Sequence, residues 1–559
     1  MRLKALLAAL LALAALPAHA QNAPLTASFD WFEYRGSDPV AGRNTPTAYR
    51  NPIVQGFYPD PSVTRVGDDY YLVTSTFGYF PGIPVFHSKD LVNWTQIGNA
   101  IDRPDQLDFK KLGMSRGVFA PTIQAKDGIF YILNTCVGCG GNFLLTATDP
   151  AGPWSNPVWL PAVDGIDPSL FFDDDGRTWI VSNGPPEGTP LYNGHTAIWA
   201  QEMDMAALAT RGPRTVIVNG GVDIAKKPIW IEGPHILKKD GWYYLVAAEG
   251  GTEQGHSEVV FRSKAVLGPY VPGPVNPILT QRDLPPGRPN PITSSGHAQL
   301  VETQYGDWWA TFLAVRPYRD NFFNTGRETF LMPVSWQDGW PRITRPGEKI
   351  PWTHARPRLP RQAAPRLATN GTLKILDEFD GDTLPFHWMM LRNPHSLWYR
   401  LDNGQLTLTA RKPGLGDNAN PSFLGRRQQN MNASAETVVR FDPRSDGDRA
   451  GLAVFQNDDY WASIAIGMEG GRRVVTLEWR HGKDQPATGL PVASAPLTAA
   501  PGAPIHLRIT AKGADYSFAY AVAPGRWVPL GKVDGTTLST QTAGGFIGAL
   551  FGPYARSGE

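Results

Sequence analysis

The chain has 559 residues, 42% of them hydrophobic and 18% charged, and its formal net charge is +1. This length exceeds what one hydrophobic core serves, so two or more domains are expected, and a near-neutral charge without a basic stripe argues against a nucleic-acid partner. The 58 glycines, 51 prolines and 18 tryptophans favour many turns and short strands over long helices.

The first twenty residues have the pattern of an export signal. Arg2 and Lys4 give a positive start, residues 3–16 are rich in Leu and Ala, and residues 17–20 end in the small-x-small pattern of a signal peptidase site. The apolar run is short for a membrane span, and no cysteine follows it to carry a lipid. We expect cleavage after Ala20, export to the periplasm or the medium, and no membrane partner.

Residues 21–48 are polar and interrupted by proline and glycine, which predicts an extended N-terminal arm. Further along, the only two cysteines are Cys136 and Cys139. Two cysteines without a neighbouring histidine do not make a structural zinc site. In an exported protein they are expected to form a local disulfide, with free thiols as the alternative and redox catalysis least favoured.

Between residues 49 and 345 one pattern repeats five times. A turn with a polar residue leads into an alternating run, then an Asp-Gly-like turn and an aromatic run. Each unit predicts a β-hairpin, and five units at intervals of roughly 45–65 residues predict a five-bladed β-propeller. The turns that open the units are 58–62 (YPDPS), 119–122 (FAPT), 166–170 (IDPSL), 231–235 (IEGPH) and 295–299 (SGHAQ).

The first strands of propeller blades surround the central axis, so residues at the starts of the units should converge there. These residues are Asp60, Ala120, Asp167, Glu232 and His297, and three of the five are carboxylic acids. Prolines on both sides of Asp60 hold it in a stiff, non-helical turn. An isolated Asp-Pro pair would be a structural turn, but three acids converging on one axis favour chemistry.

Glycoside hydrolysis needs one protonated and one ionised carboxyl group, and a third acid nearby raises the pKa of the proton donor. The Asp-Pro-Ser settings of Asp60 and Asp167 suit fixed, ionised carboxylates. Glu232 has the longer side chain and follows the apolar residues Trp230 and Ile231. Burial there would raise its pKa, so Glu232 is the expected acid.

Beyond the propeller, residues 346–372 are rich in Pro and Arg and show no periodicity, which predicts an extended linker. Alternating runs separated by turns resume over 373–559 and predict an antiparallel β-sandwich. The predicted fold is therefore all-β, a five-bladed β-propeller over 49–345 followed by the sandwich.

The three acidic turns resemble the three signature motifs of glycoside hydrolase family 43. Further matches continue through both predicted domains, at 75–82 (STFGYFPG), 87–94 (HSKDLVNW), 295–298 (SGHA), 326–329 (GRET), 424–429 (LGRRQQ) and 455–460 (FQNDDY). The chain is similar to the two-domain branch of β-xylosidases and α-L-arabinofuranosidases. This resemblance implies a concanavalin-like sandwich that closes one side of the active site with a loop.

The resemblance also implies roles. Asp60 would be the general base that activates water, Glu232 the general acid, and Asp167 would tune the pKa of Glu232 and orient it. Relatives invert the anomeric configuration, so the Asp60 and Glu232 carboxyls should lie about 6.5–9.5 Å apart. Arg327 would bind substrate hydroxyls, or pair with a core acid, and Phe77 would contact the first sugar or serve as plain packing.

No cofactor is expected for the chemistry, and whether structural calcium is bound is left open. His297 would lie on the axis beside substrate, where relatives hold a water or a metal ion, or it would be a buried histidine without metal. In the sandwich, Asp377, Glu378 and Asp380 are candidate calcium ligands. The adjacent pair Arg426-Arg427 would either reach the active site or be exposed on the surface.

The function implied is an exo-acting, inverting hydrolase that releases pentose from xylo-oligosaccharides or arabinoxylan. β-D-Xylosidase activity is the first expectation, and α-L-arabinofuranosidase or dual activity is the second. A non-catalytic sugar-binding propeller is a remote alternative, because it would have lost at least one acid. The retaining fructan hydrolases are a further alternative, but their nucleophile lies in an Asn-Asp-Pro-Asn-like motif that this chain lacks.

Overall fold

A computed structural model describes residues 24–558, so the predicted export signal lies outside the described residues. The described chain is all-β, with five blade-like sheets followed by a two-sheet sandwich, which confirms the predicted fold class. Helical structure in this part is limited to Ile224–Lys226, Gly535–Leu538 and Thr540–Ala543. None of the described helices is long and apolar enough to cross a membrane.

Each blade is an antiparallel sheet whose strands follow one another in sequence. The first blade contains Ser62–Val66, Asp69–Val73, Gly82–Ser88 and Thr95–Ile101. The second contains Gly117–Val118, Thr122–Lys126, Ile129–Val137, Gly141–Ala147 and Val158–Trp159. The third contains Ile166–Phe172, Thr178–Gly184, Ala197–Asp204 and Ala209–Asn219. The fourth blade contains Glu232–Lys239, Trp242–Glu249, Ser257–Ser263, Val271–Pro272 and Leu279–Thr280. The fifth contains Thr293–Glu302, Trp308–Val315, Glu328–Gln337 and Trp340–Arg342.

The hairpins form where the sequence combines a turn residue with a buried aromatic run. Gly128 and Gly241 sit at such turns with φ of 79° and 72°, a left-handed conformation that glycine adopts without a steric penalty. The strands that follow are buried on both faces, because neighbouring blades pack on each side; all eight residues of Trp308–Val315 are buried. This packing fixes where each first strand begins at the axis.

The sandwich has two antiparallel sheets with an apolar core between them. One sheet contains Leu373–Asp377, Tyr399–Asp402, Gln405–Thr409, Thr26–Ser37, Asn432–Arg440, Ile505–Lys512, Asp515–Ala521 and Val528–Asp534. The other contains Ser422–Phe423, Arg426–Arg427, Leu550–Arg556, Arg449–Asn457, Tyr460–Glu469, Arg472–His481 and Leu490–Pro496.

The N-terminal segment is part of the sandwich and not a separate arm. Thr26–Ser37 lies inside the first sheet and pairs with Asn432–Arg440 along its length. The prediction of an arm over 21–48 is therefore wrong for this stretch. The sequence pattern is broken by a bulge between Phe29 and Phe32, which shifts the apolar alternation by one residue and hides the strand.

The two domains share a continuous apolar core. Tyr79–Phe80 of the propeller pairs with Met390–Leu391 of the sandwich side, and one cluster of buried side chains extends from the first two blades into the sandwich. Within the predicted linker, Thr353–Ala355 pairs with Ala48–Arg50. These contacts place residues of the sandwich beside the propeller axis.

A buried charge network joins the N-terminal segment to the fifth blade. The Arg316 guanidinium pairs with Asp38 at 2.7 Å and with Glu328 at 2.5 Å. Asp38 also accepts hydrogen bonds from the Met431 amide at 3.1 Å and the Gln55 side chain at 2.6 Å. Burial alone would raise the pKa of Asp38, but Arg316 and these donors hold it below its ordinary value.

Removing Asp38 is expected to destabilise the protein strongly, because Asp38→Ala leaves the buried Arg316 charge with one partner fewer. We expect a loss of about 3–5 kcal/mol in the free energy of unfolding, measured by urea denaturation. Asp30→Ala is the matched control: Asp30 lies in the same N-terminal segment and pairs with Arg440, but it is partly exposed, and its loss should cost no more than about 1 kcal/mol. Equal losses in the two variants would contradict a structural role for the network.

Candidate active site

A cavity of about 830 Å³ opens where the first strands of the blades begin. The side chains that the sequence predicted for the site line this one cavity, namely Asp60, Phe77, Ala120, Asp167, Glu232, His297 and Arg327. Residues up to 267 positions apart in the chain are thus in direct contact, as Arg327 and Asp60 are. The convergence predicted from the repeats is confirmed.

The blades present these residues through a recurring left-handed bulge. Asp60, Asp167 and His297 have φ of 53°, 55° and 54°, and Gly233 has φ of 57°. Aspartate is among the residues that best tolerate this conformation, which in the third, fourth and fifth blades coincides with a shift in strand register. The bulge turns the side chain out of the ladder and into the cavity.

Glu232 occupies a different position from the two aspartates. In the fourth blade, Gly233 takes the left-handed position before the proline, and Glu232 precedes it by one residue. A Cβ atom on Gly233 would lie 2.8 Å from the His297 ring, so no side chain fits there. Glu232 therefore reaches the cavity from a position one residue earlier in its turn than Asp60 and Asp167 do in theirs.

Asp60 is held by three donor atoms. The Ser75 hydroxyl donates to its Oδ2 at 2.5 Å, and Arg327 donates from Nη1 to Oδ1 at 3.1 Å and from Nη2 to Oδ2 at 3.4 Å. The Nδ1 atom of His297 lies 4.0 Å from Oδ1. Arg327 therefore pairs with a buried acid, as one of the two expectations has it, and it also lines the cavity, where its contact with substrate hydroxyls stays a prediction.

Asp167 is a buried acid and Glu232 a half-buried one, and both have raised pKa values. Burial, reinforced by the nearby Asp60 carboxylate, raises the pKa of Glu232 to about 7, against the opposing charge of Arg327. Burial, then the charges of Glu232 and Asp60, raises the pKa of Asp167 well above its ordinary value. The expectation that Asp167 is a fully ionised carboxylate is not supported.

Asp167 is nevertheless placed to orient the acid. Its Oδ2 accepts a hydrogen bond at 3.2 Å from the amide of Gly233, the residue that follows Glu232. Its own amide donates to the Thr135 hydroxyl at 3.2 Å. Asp167 therefore fixes the backbone at Glu232, which is the geometry that the orienting role requires, and its effect on the pKa of Glu232 stays a prediction.

The sandwich completes the wall with residues that the sequence did not indicate. Phe546 and Gln541 line the cavity, and the Phe546 ring stacks on Phe77 at 5.7 Å between centroids. The Arg327 guanidinium lies 5.4 Å from the Phe546 ring. The loop is fixed, because the Phe546 amide donates to the Ser115 hydroxyl at 3.0 Å. An aromatic residue after two glycines carries no motif that would have identified it.

Residues 49–341 match the family model of the glycosyl hydrolases family 43, and residues 376–559 match that of the beta xylosidase C-terminal concanavalin A-like domain. The chain belongs to glycoside hydrolase family 43. It is 38% identical over 513 residues to a xylosidase/arabinosidase of Butyrivibrio fibrisolvens, across 91% of this chain and 95% of the relative.

Two further proteins are similar over nearly the whole chain. The non-reducing end alpha-L-arabinofuranosidase BoGH43B of Bacteroides ovatus is 36% identical over 531 residues, which is 91% of each chain. The crystal structure of a GH43_12 retrieved from a capybara gut metagenome superimposes with a TM-score of 0.87 at 38% identity, covering 95% of this chain and 99% of that one. Both domains of this hydrolase thus have counterparts in one solved chain.

This family 43 hydrolase needs no cofactor for the chemical step, since two carboxyl groups and water suffice. The side chains near His297 supply few of the ligands that calcium, one of the two alternatives there, would need. Calcium prefers six to eight oxygen ligands, and in residues 24–558 no cluster of three or more His, Cys, Asp or Glu side chains could hold a metal. Burial lowers the pKa of His297, so it is a neutral imidazole beside Asp60.

The calcium site predicted in the sandwich is wrong. Asp377 points into the core, where its oxygens accept hydrogen bonds from the Trp388 indole at 2.6 Å and the Phe379 amide at 3.0 Å. Glu378 and Asp380 are exposed. The strand ends at Asp377, and the alternation of burial along and beyond it leaves Asp377 in the core and Glu378 and Asp380 on the surface.

The pair Arg426-Arg427 in this hydrolase is neither exposed nor part of the cavity wall. Both residues are buried. Arg427 donates to the Phe57 carbonyl at 2.5 Å, and its guanidinium lies 3.9 Å from the centroid of the Tyr58 ring. Arg427 therefore supports from behind the turn that carries Asp60, and both expectations for the pair are corrected.

Cys136 and Cys139 form the predicted local disulfide. Cys136 pairs with Val118 on the neighbouring short strand and directly follows Thr135, whose hydroxyl accepts a hydrogen bond from the Asp167 amide. The disulfide thus closes a turn that begins one residue after Thr135, which helps to position Asp167.

Proposed function

We propose that this protein is an exo-acting, inverting glycoside hydrolase that releases β-D-xylose from the non-reducing ends of xylan-derived oligosaccharides. The observation that carries the proposal is the pairing, in one cavity, of Glu232 with a pKa near 7 and Asp60 bound to Arg327. One group is poised to give a proton and the other to accept one, which is the requirement of inverting hydrolysis.

In this mechanism the protonated Glu232 carboxyl donates its proton to the glycosidic oxygen as the bond to the anomeric carbon breaks. A water molecule attacks the anomeric carbon from the opposite face, and Asp60 accepts the proton that this water loses. Ser75 and Arg327 orient the Asp60 carboxylate for that transfer. Asp167 takes no proton from substrate; it holds the backbone at Glu232 in place by accepting the hydrogen bond from the Gly233 amide.

The shape of the site favours removal of single sugars from chain ends. Phe77, Phe119 and Phe546 pack against one another with ring centroids 5.1–5.9 Å apart and form a continuous aromatic wall. A polysaccharide chain does not pass through such a wall, so the terminal sugar would lie against it. The apolar face of a pentose ring is suited to that contact.

α-L-Arabinofuranosidase or dual activity is the second candidate, and the names of the two curated relatives support it, because one is a xylosidase/arabinosidase and the other an arabinofuranosidase. Initial rates on nitrophenyl β-D-xylopyranoside and nitrophenyl α-L-arabinofuranoside, measured side by side, test both. We expect the xyloside to be cleaved faster. A faster arabinofuranoside would reverse the assignment, and no release from either substrate or from xylo-oligosaccharides would leave a sugar-binding propeller.

The pH dependence of kcat/KM should report the ionisation of Glu232. The acid works only when protonated, and its raised pKa keeps the proton in place up to about pH 7. The value of kcat/KM for nitrophenyl β-D-xylopyranoside should therefore fall above about pH 7, tenfold for each further pH unit, as Glu232 loses its proton. A profile that stays flat to pH 9 would contradict the assignment of Glu232 as the acid.

We also propose that the protein is exported and that cleavage occurs after Ala20. The pattern of residues 1–20 supports this, as does the disulfide, since such bonds persist in oxidising compartments. Protein recovered from the periplasm or the medium should have a mass that corresponds to a chain beginning at Gln21. Recovery only from the cytoplasm, with residues 1–20 retained, would contradict export.

A further inference from the structure

Trp230 lies in the wall of the active-site cavity, two residues before Glu232, and 44% of its surface is exposed. An indole left this open is unusual beside a catalytic acid, because aromatic side chains contribute most when buried. Its backbone has φ of 48°, a left-handed conformation that costs a bulky residue free energy. The mechanism proposed above gives Trp230 no role.

The strained backbone of Trp230 is held on both sides. Its amide donates to the Gly194 carbonyl at 2.8 Å, and the carbonyl of the preceding Ile229 accepts from the Gly250 amide at 3.0 Å. One edge of the ring lies against Gly251, where an added Cβ would be 3.2 Å from the indole. The ring is therefore presented to the cavity in a fixed orientation, as a preformed binding surface requires.

Polar side chains border the same part of the cavity. Gln254 belongs to the short loop that also carries Gly251, and its side-chain amide is hydrogen-bonded to that of Asn321 from the fifth blade. Both residues line the cavity with Trp230. An aromatic face next to paired amides is suited to bind a sugar, because the ring packs against the C–H face of the sugar and the amides hydrogen-bond its hydroxyls.

The cavity is larger than one pentose requires. It has a volume of about 830 Å³, near the upper end of sites for drug-sized ligands, whereas a pentose has only about ten non-hydrogen atoms. The terminal sugar lies between Asp60 and the aromatic wall of Phe77 and Phe546. The leaving group must lie on the side of Glu232, since Glu232 protonates the oxygen that joins the two sugars.

We infer that Trp230, together with the Gln254–Asn321 pair, forms the binding position for the sugar on the leaving side of the scissile bond. The substrate class is therefore a linear oligosaccharide whose second pyranose ring stacks on the indole. This inference rests on the proposed function. It makes Trp230 a specificity-determining residue that contacts the leaving group and takes no part in proton transfer.

The test compares two substrates that share the terminal xylose and differ in the leaving group. Xylobiose places a full sugar on Trp230, whereas the leaving group of β-D-xylosyl fluoride is a single atom. In Trp230→Ala, kcat/KM for xylobiose should fall by about 10- to 100-fold, while kcat/KM for the fluoride stays within about twofold of wild type. Trp230→Phe, which keeps an aromatic face, should recover much of the loss.

Trp159→Ala is the matched control. Trp159 is 41% exposed, but it lies on the outermost strand of the second blade and does not line the cavity. It should leave both rates unchanged. The inhibition constant of free xylose in Trp230→Ala should also match wild type, which shows that the terminal-sugar position is intact and the variant folded.

Three outcomes would overturn the inference. These are an unchanged rate on xylobiose in Trp230→Ala, an equal fall on both substrates, or a loss that Trp230→Phe does not recover. An equal fall would mean that Trp230 acts through Glu232 and not on the leaving group. Failure of the proposed function looks different, because wild-type protein would then cleave neither xylobiose nor the fluoride.

Discussion

Asp60→Ala is expected to lower kcat on nitrophenyl β-D-xylopyranoside by about 10²–10⁴-fold, the range that a positioned general base contributes. The variant loses the group that takes the proton from the attacking water, while Glu232 and the aromatic wall remain. KM should change little, because the terminal sugar still contacts Phe77 and Phe546. Steady-state kinetics at pH 6, where Glu232 is protonated, measure the effect.

Two controls separate chemistry from folding in this experiment. Asp60→Asn keeps the shape of the side chain but replaces one of the two oxygens that accept from Ser75 and Arg327 with an NH₂ donor, and it should be nearly as inactive as Asp60→Ala. Asp240→Ala removes an exposed acid from a hairpin turn and should have no effect. Azide, which needs no deprotonation to attack, should restore turnover in Asp60→Ala and give a xylosyl azide of α configuration. Activity above a tenth of wild type without azide would rule out Asp60 as the base.

Glu232→Gln is expected to abolish hydrolysis of substrates with poor leaving groups and to spare good ones. The leaving group of xylobiose is an alcohol that must be protonated, so its kcat should fall by about 10³-fold or more, whereas dinitrophenyl β-D-xyloside should lose only about tenfold. The decline of activity above pH 7 should disappear from the residual rate, because the glutamine side chain does not titrate. Rates on the two substrates over pH 5–9 measure both effects.

The contrast between leaving groups is the decisive part of that experiment. Equal losses on xylobiose and the dinitrophenyl substrate would show that Glu232 positions the sugar and does not donate a proton. Stability provides the folding control: ionised Glu232 is disfavoured by burial, so its raised pKa makes the wild-type fold less stable as pH rises from about 4.5 to 7. The neutral glutamine removes this penalty, and Glu232→Gln should melt no lower than wild type at pH 8.

The propeller could be predicted because its signals are local. Each blade combines a hairpin turn with a buried aromatic run, and the Asp-Pro-Ser turns at Asp60 and Asp167 mark the start of a strand. The five blades close into a ring, and this closure brings the beginnings of their first strands together at the axis, whatever their separation in the sequence. The one-residue displacement of Glu232 could have been read from its Glu-Gly-Pro turn, where the glycine before proline takes the position that aspartate holds elsewhere.

Features that depend on contacts between distant segments could not be predicted. Thr26–Ser37 becomes a central strand only because sandwich strands more than 300 residues later flank it. Phe546 reaches the cavity because its loop is held by Ser115 of the propeller. Arg427 is buried because the Phe57 carbonyl and the Tyr58 ring receive it. In each case the local sequence by itself is equally compatible with an ordinary loop, an edge strand or an exposed surface position.

Proton NMR of the xylose released from nitrophenyl β-D-xylopyranoside tests the central claim most directly. The claim is that water, activated by Asp60, attacks from the face opposite the bond that Glu232 protonates. The first sugar to appear, before mutarotation, should be the α-anomer. Early appearance of the β-anomer would mean double displacement through a covalent intermediate, and would contradict the roles assigned to Asp60 and Glu232.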